Sequence, residues 1–114
     1  IELVERGEFT FYFKPQKPST ELLIGKTNLT KENIREHLGS VVKLIEQVSE
    51  NEFSADNIKN SIWQYATDNG RGNVLWPTRV ALTGAEKSPD PFGVCALIGK
   101  SESINRLRYA ISIL

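Results

Sequence analysis

An all-α fold is what this 114-residue sequence predicts, and three observations predict it. Apolar residues recur at helical spacing in three stretches, 31–49, 55–69 and the C-terminal residues after Gly99. Small polar residues and glycines bracket these stretches as caps. No two segments alternate as a pair of strands would. The expected architecture has about five helices: a long helix hairpin, two short helices around a proline-rich turn, and a closing C-terminal helix.

Residues 1–6 read as the end of a preceding helix stopped by Gly7, followed by the aromatic cluster Phe9, Phe11, Tyr12 and Phe13. That cluster could form a strand, but a lone strand leaves its backbone groups unsatisfied. An irregular segment plugged into the core is preferred, and a base-stacking platform is the functional alternative. Residues 1–17 are therefore assigned as helix tail plus aromatic connector, and residues 18–114 as the helical domain. Pro15 and Pro18 break the chain, after which Ser19 or Thr20 caps a short turn through Leu22, Leu23 and Ile24 before Gly25.

Thr30 caps the strongest helix, 31–49, in which Ile34, Leu38, Val41, Val42, Ile45 and Val48 form one apolar stripe. His37 lies beside that stripe as a boundary residue. Ser54 caps the next helix, 55–69, whose Ala55, Ile58, Ile62, Tyr65 and Ala66 face the core with Trp63 at the edge and Gly70 as the stop. The two are joined by residues 50–53 into an antiparallel hairpin. Gly70 and Gly72 do not make a phosphate loop, because no strand precedes them and no further glycine or lysine follows at the required spacing.

Residues 73–100, NVLWPTRVALTGAEKSPDPFGVCALIGK, hold the densest run of prolines and glycines. Pro77 suits the first position of a helix that Gly84 ends, under two turns later. Asp90 caps a second short helix that starts at Pro91 and stops at Gly99. Leu75 and Trp76 read as core, and Cys95 as a buried thiol. Ser101 caps the last helix, where Ile104, Leu107, Ile111 and Leu114 form the stripe and Arg106 and Arg108 lie off it.

Composition bounds the function. The chain is long enough for one core, at 39% hydrophobic content, and a sequence that begins at Ile1 and contains no methionine is expected to be part of a longer protein. One cysteine allows no internal disulfide, so a reducing compartment is expected. No apolar run could span a bilayer, and Glu2, Glu5 and Glu8 oppose a signal peptide. The cytoplasm or an organelle matrix is the expected location, without membrane association, and a monomer is expected.

Net charge is zero, against strong nonspecific nucleic-acid binding. Residues 1–56 carry seven basic and ten acidic side chains, however, and residues 57–114 carry seven and four. A basic face bearing Arg71, Arg79, Lys87 and Lys100 is one reading of that asymmetry; scattered solvated charge is the other. No nucleophile sits with a histidine and a carboxylate, and a single histidine makes no metal-ligand set. Neither catalytic nor metal-binding residues are expected in this segment.

The string LWPTRVALTG, followed by SPDPF and then ALIGK, resembles the C-terminal signature of bacterial and organellar glutamyl-tRNA synthetases, and the resemblance covers the whole chain. It implies a helical anticodon-binding region in which Arg79 and the turn Ser88, Pro89, Asp90 and Pro91 contact the anticodon loop of tRNA(Glu). Arg71 and Lys87 would contact phosphates. It also implies that ATP and magnesium belong to a catalytic domain elsewhere in the parent, whose HxGH and KMSKS motifs are not found here.

Without the resemblance, the preferred readings are of Arg79 as an arginine paired with a carboxylate or a helix end, and of residues 88–91 as a plain interhelical turn. The family commonly has glycine where this chain has Asp90. The alternative function is a helical protein-interaction module that keeps the fold without binding RNA.

Overall fold

The computed structural model describes residues 18–25, 27–84 and 90–114. The aromatic connector, Lys87, Ser88 and Pro89 lie outside the described residues. Six α-helices and no strand are found among those described: α1 Thr20–Ile24, α2 Lys31–Glu46, α3 Ala55–Asn69, α4 Arg71–Thr83, α5 Pro91–Ile98 and α6 Lys100–Ile113. A single 3₁₀ turn, Glu50–Glu52, joins α2 to α3.

Each early helix starts where a hydroxyl can take a free backbone N–H. Ser19 accepts from the Leu22 amide at 3.0 Å and Ser54 from the Asn57 amide at 3.2 Å. Thr30 and Asn33 form a reciprocal capping box on α2. That helix ends at Glu46, three residues before the expected stop, and Val48 is left half-buried. Its C-terminal carbonyl at Glu46 is taken by Lys100 Nζ at 2.8 Å, which ties α2 to the start of α6.

Helix α4 departs most from expectation. It runs for 13 residues from Arg71, and Pro77 sits inside it rather than at its first position. Proline withholds an N–H from the Asn73 carbonyl, a local cost. That cost is outweighed because Val74, Pro77, Thr78 and Ala81, spaced i, i+3, i+4 and i+7, all bury on one face. Full burial of an aliphatic side chain contributes about 1.5–3 kcal/mol, and helix α4 packs against all five other helices. The turn into it is made by Gly70, whose φ of 92° ends α3 and starts α4 without an intervening loop.

The α5–α6 connection repeats this device. Gly99, at φ 91°, ends α5 and directly precedes α6, so Ser101 is an internal helical residue and not the cap. Asp90 is the cap of α5, accepting from the Gly93 amide at 2.8 Å, with Pro91 at the first position as expected. The buried face of α6 is rotated from the expected stripe: Ser103, Arg106, Leu107 and Ala110 point inward, while Ile104, Ile111 and Leu114 flank the core. Arg106 turns in because it has work there. Its Nε donates to Glu102 at 2.8 Å and its Nη1 to the Leu82 carbonyl at 2.9 Å, at the C-terminal end of α4.

The core collects Leu38, Val41 and Ile45 from α2, Ile58 and Ile62 from α3, Val80 and Leu82 from α4, Val94 from α5 and Leu107 from α6. The expected α2–α3 hairpin is present, but α2 packs more extensively against α6. Cys95 is core, as expected, and burial pushes its thiol pKa up to about 11. Trp76 is half-buried and donates its indole N–H to the Leu22 carbonyl at 2.8 Å, fastening α1 onto α4. Gly25, at φ 50°, passes so close that an added Cβ would collide with that indole.

Candidate nucleic-acid interface

The two stems that flank residues 85–89 are both pinned. On the α4 side Gly84 adopts the left-handed conformation, φ 69°, and its N–H closes on the Val80 carbonyl at 2.7 Å. Thr83 Oγ1 donates to the Arg79 carbonyl and Arg106 to that of Leu82, so protein groups hold the Arg79, Val80 and Leu82 carbonyls near the end of α4. On the other side the Asp90 carboxylate caps α5 while Pro91 is buried at its first position.

Arg79 projects from the final turns of α4 and is half-buried. Its Nε is a buried donor without a hydrogen-bond partner, and no other side-chain nitrogen or oxygen among the described residues is so placed. An unsatisfied buried donor costs about 1–3 kcal/mol, so the folded protein carries a penalty at this residue. The paired-arginine alternative is not what the described residues contain: neither a carboxylate nor a helix carbonyl takes this nitrogen.

Arg71, the first residue of α4, is exposed and lies over the Trp63 ring at 4.9 Å. Lys59 stands over the same ring at the same distance, 4.9 Å. Trp63 in turn meets Phe92 edge-on, with 6.5 Å between centroids and 63° between planes. Phe92 follows Asp90 and Pro91, so this chain of rings connects Arg71 to the start of α5. The structure thus brings Arg71, Asp90 and Pro91 to one neighbourhood, with Arg79 two turns further along α4, about 12 Å by helical rise.

Lys100 does not belong to this group. Its ammonium donates to the Glu46 carbonyl at the end of α2, away from the Trp63 ring that carries Arg71. Lys59 and Trp63 do belong and were not singled out from sequence as site residues. The signal was their i, i+4 spacing on a helix whose tryptophan sits at the edge of the apolar stripe. Among the described residues no group of three or more His, Cys, Asp or Glu could hold a metal ion, and no helix is long and apolar enough to cross a membrane.

A family model described as an anticodon binding domain matches residues 1–111. The chain belongs to that family. Relatives of this anticodon binding domain include the glutamate–tRNA ligase of Clostridium botulinum (strain Eklund 17B / Type B), 34% identical over 84% of the chain and 21% of the relative. The ligase of Flavobacterium johnsoniae is 36% identical over 72% of the chain and 17% of the relative. That of Rhodopseudomonas palustris (strain BisB5) is 35% identical over 94% of the chain and 22% of the relative. The chain spans about a fifth of the length of these curated relatives. No solved structure matches it at comparable significance. The helical architecture of this anticodon binding domain agrees with the all-α expectation.

Proposed function

We propose that the chain reads the anticodon loop of tRNA(Glu) as the C-terminal part of a glutamate–tRNA ligase, a class I synthetase that joins glutamate to tRNA with ATP. Magnesium and ATP act in the parent's catalytic domain, and this segment contributes selection of the tRNA and no bond-making residue. The parent is placed in the cytoplasm and taken to act as a monomer.

The observation that supports this reading best is Arg79. Its half-exposed guanidinium is a planar fork with donors that no described residue takes, and anticodon bases offer acceptors on their Watson–Crick edges. Ser88, Pro89, Asp90 and Pro91 contact the anticodon loop as well. Lys87 contacts a phosphate.

Arg79→Ala should weaken binding of a tRNA(Glu) transcript by about 1–3 kcal/mol, as for loss of a bidentate base contact, while leaving the melting temperature unchanged or slightly raised. Unfolding of this variant under conditions where the unaltered chain is folded would instead make Arg79 a structural residue. No binding of tRNA by the unaltered chain, even at low salt, would favour the protein-interaction module.

A further inference from the structure

Two cations on one ring need an explanation. Lys59 and Arg71 each lie 4.9 Å from the Trp63 centroid, so their like charges stand at most about 10 Å apart. Both residues are exposed, and among the described residues neither has a carboxylate within ion-pair distance: the ion pairs present are Arg106–Glu102 and Arg108–Glu46. Cation–π attraction holds each charge over the ring and places it without neutralising it. Trp63 is itself braced against Phe92, at the start of the helix that Asp90 caps.

We propose that Lys59, Trp63 and Arg71 form a backbone contact for the anticodon arm, in which the ring positions two cations against RNA phosphates beside the loop that Arg79 and the 88–91 turn read. The inference rests on the anticodon reading and adds Lys59 and Trp63 to it. The occupant is the phosphate backbone, because two exposed cations held by one ring, with no described carboxylate pairing them, offer an anion two contacts. Such a contact positions the RNA and carries no sequence information. Lys59 and Arg71 touch the RNA; Trp63 is a positioning residue that acts through them.

The test is the salt dependence of tRNA binding by the 114-residue chain. Removing both charges in Lys59→Gln/Arg71→Gln should lower the slope of log affinity against log salt by about 1.5–2. Between 50 and 200 mM salt the unaltered chain should therefore lose roughly tenfold more affinity than the double variant. The loss caused by the double variant should be the same on a tRNA(Glu) transcript and on one with an altered anticodon, and the charge-conserving Lys59→Arg/Arg71→Lys variant should restore the slope. Trp63→Phe should bind within about twofold of the unaltered chain and Trp63→Leu should not; equal binding by both would remove the ring's part.

An unchanged salt slope in the double variant overturns this inference alone. So does a loss confined to the transcript with the matching anticodon, which would make the contact a base reader. Absence of tRNA binding by the unaltered chain overturns the anticodon reading and takes this inference with it.

Discussion

The cations of α6 and those of the α3–α4 edge are opposites. On α6, Lys100 holds the end of α2, Arg106 holds Glu102 and the end of α4, and Arg108 pairs with Glu46 at 3.6 Å. On the α3–α4 edge, Lys59 and Arg71 rest on a tryptophan and Arg79 keeps a buried N–H without a partner. Basic residues in one half of the chain therefore divide into those consumed by folding and those left for a ligand. Counting charge along the sequence cannot separate the two sets, because apart from Glu102 the partners of the α6 cations come from α2 and α4.

The sharpest way to break that division is to remove one arginine from each set. Arg106→Met should destabilise the fold by about 1–3 kcal/mol in denaturant titrations, since it strands the buried Leu82 carbonyl. Arg79→Ala should leave stability unchanged or improve it. If both variants lost stability alike, the contrast between structural and available cations would be wrong. Because Arg106 also secures the stem at the end of α4, its loss should weaken tRNA binding beyond what unfolding accounts for.

A smaller effect is expected at Asp90, where the cap and the RNA contact can be separated. Asp90→Ala should cost about 1 kcal/mol of stability and Asp90→Gly only a few tenths, because glycine is nearly as good a cap. Both variants should bind tRNA more tightly at low salt, as a carboxylate beside the phosphates is removed. Equal stability of the two variants would reject the cap, and unchanged affinity at low salt would place Asp90 away from the RNA.

The smallest effect concerns a group outside both sets. His37 shares a 2.7 Å hydrogen bond with the Tyr65 hydroxyl across the α2–α3 pair, and burial lowers its pKa below the ordinary 6.5, partly offset by Glu36. The folded state thus resists a proton that the unfolded chain accepts. Stability from this group is present above pH 6.5 and falls as pH drops through the lowered folded value. Between pH 7.5 and 5.5 the unaltered chain should lose slightly more stability than His37→Gln in paired thermal melts; a larger loss in the variant would reverse the sign.

Much of the fold was legible because it is encoded locally. The caps at Ser19, Thr30, Ser54 and Asp90, the stops at Gly70, Gly84 and Gly99, and the stripes of α2 and α3 depend on residues within a turn or two of each other. Pro77 misled for the same reason. The local rule places proline in a first turn, whereas the buried face through Val74 and Ala81 carries the helix across it. The candidate site was legible only in part: Arg79, Arg71, Asp90 and Pro91 were singled out from the signature, and Lys59 and Trp63 were not.

By itself, then, the sequence determined the all-helical class, most helix boundaries, the glycine stops and the signature around Arg79. Only the tertiary structure decided which face of α6 turns inward, that Arg106 and Lys100 close the ends of other helices, and that Lys59 and Arg71 converge on Trp63. The physical reason is range. Capping and apolar periodicity are set by neighbours a few residues apart, while a cation's partner is chosen by whichever helix end, carboxylate or ring the packed fold brings beside it.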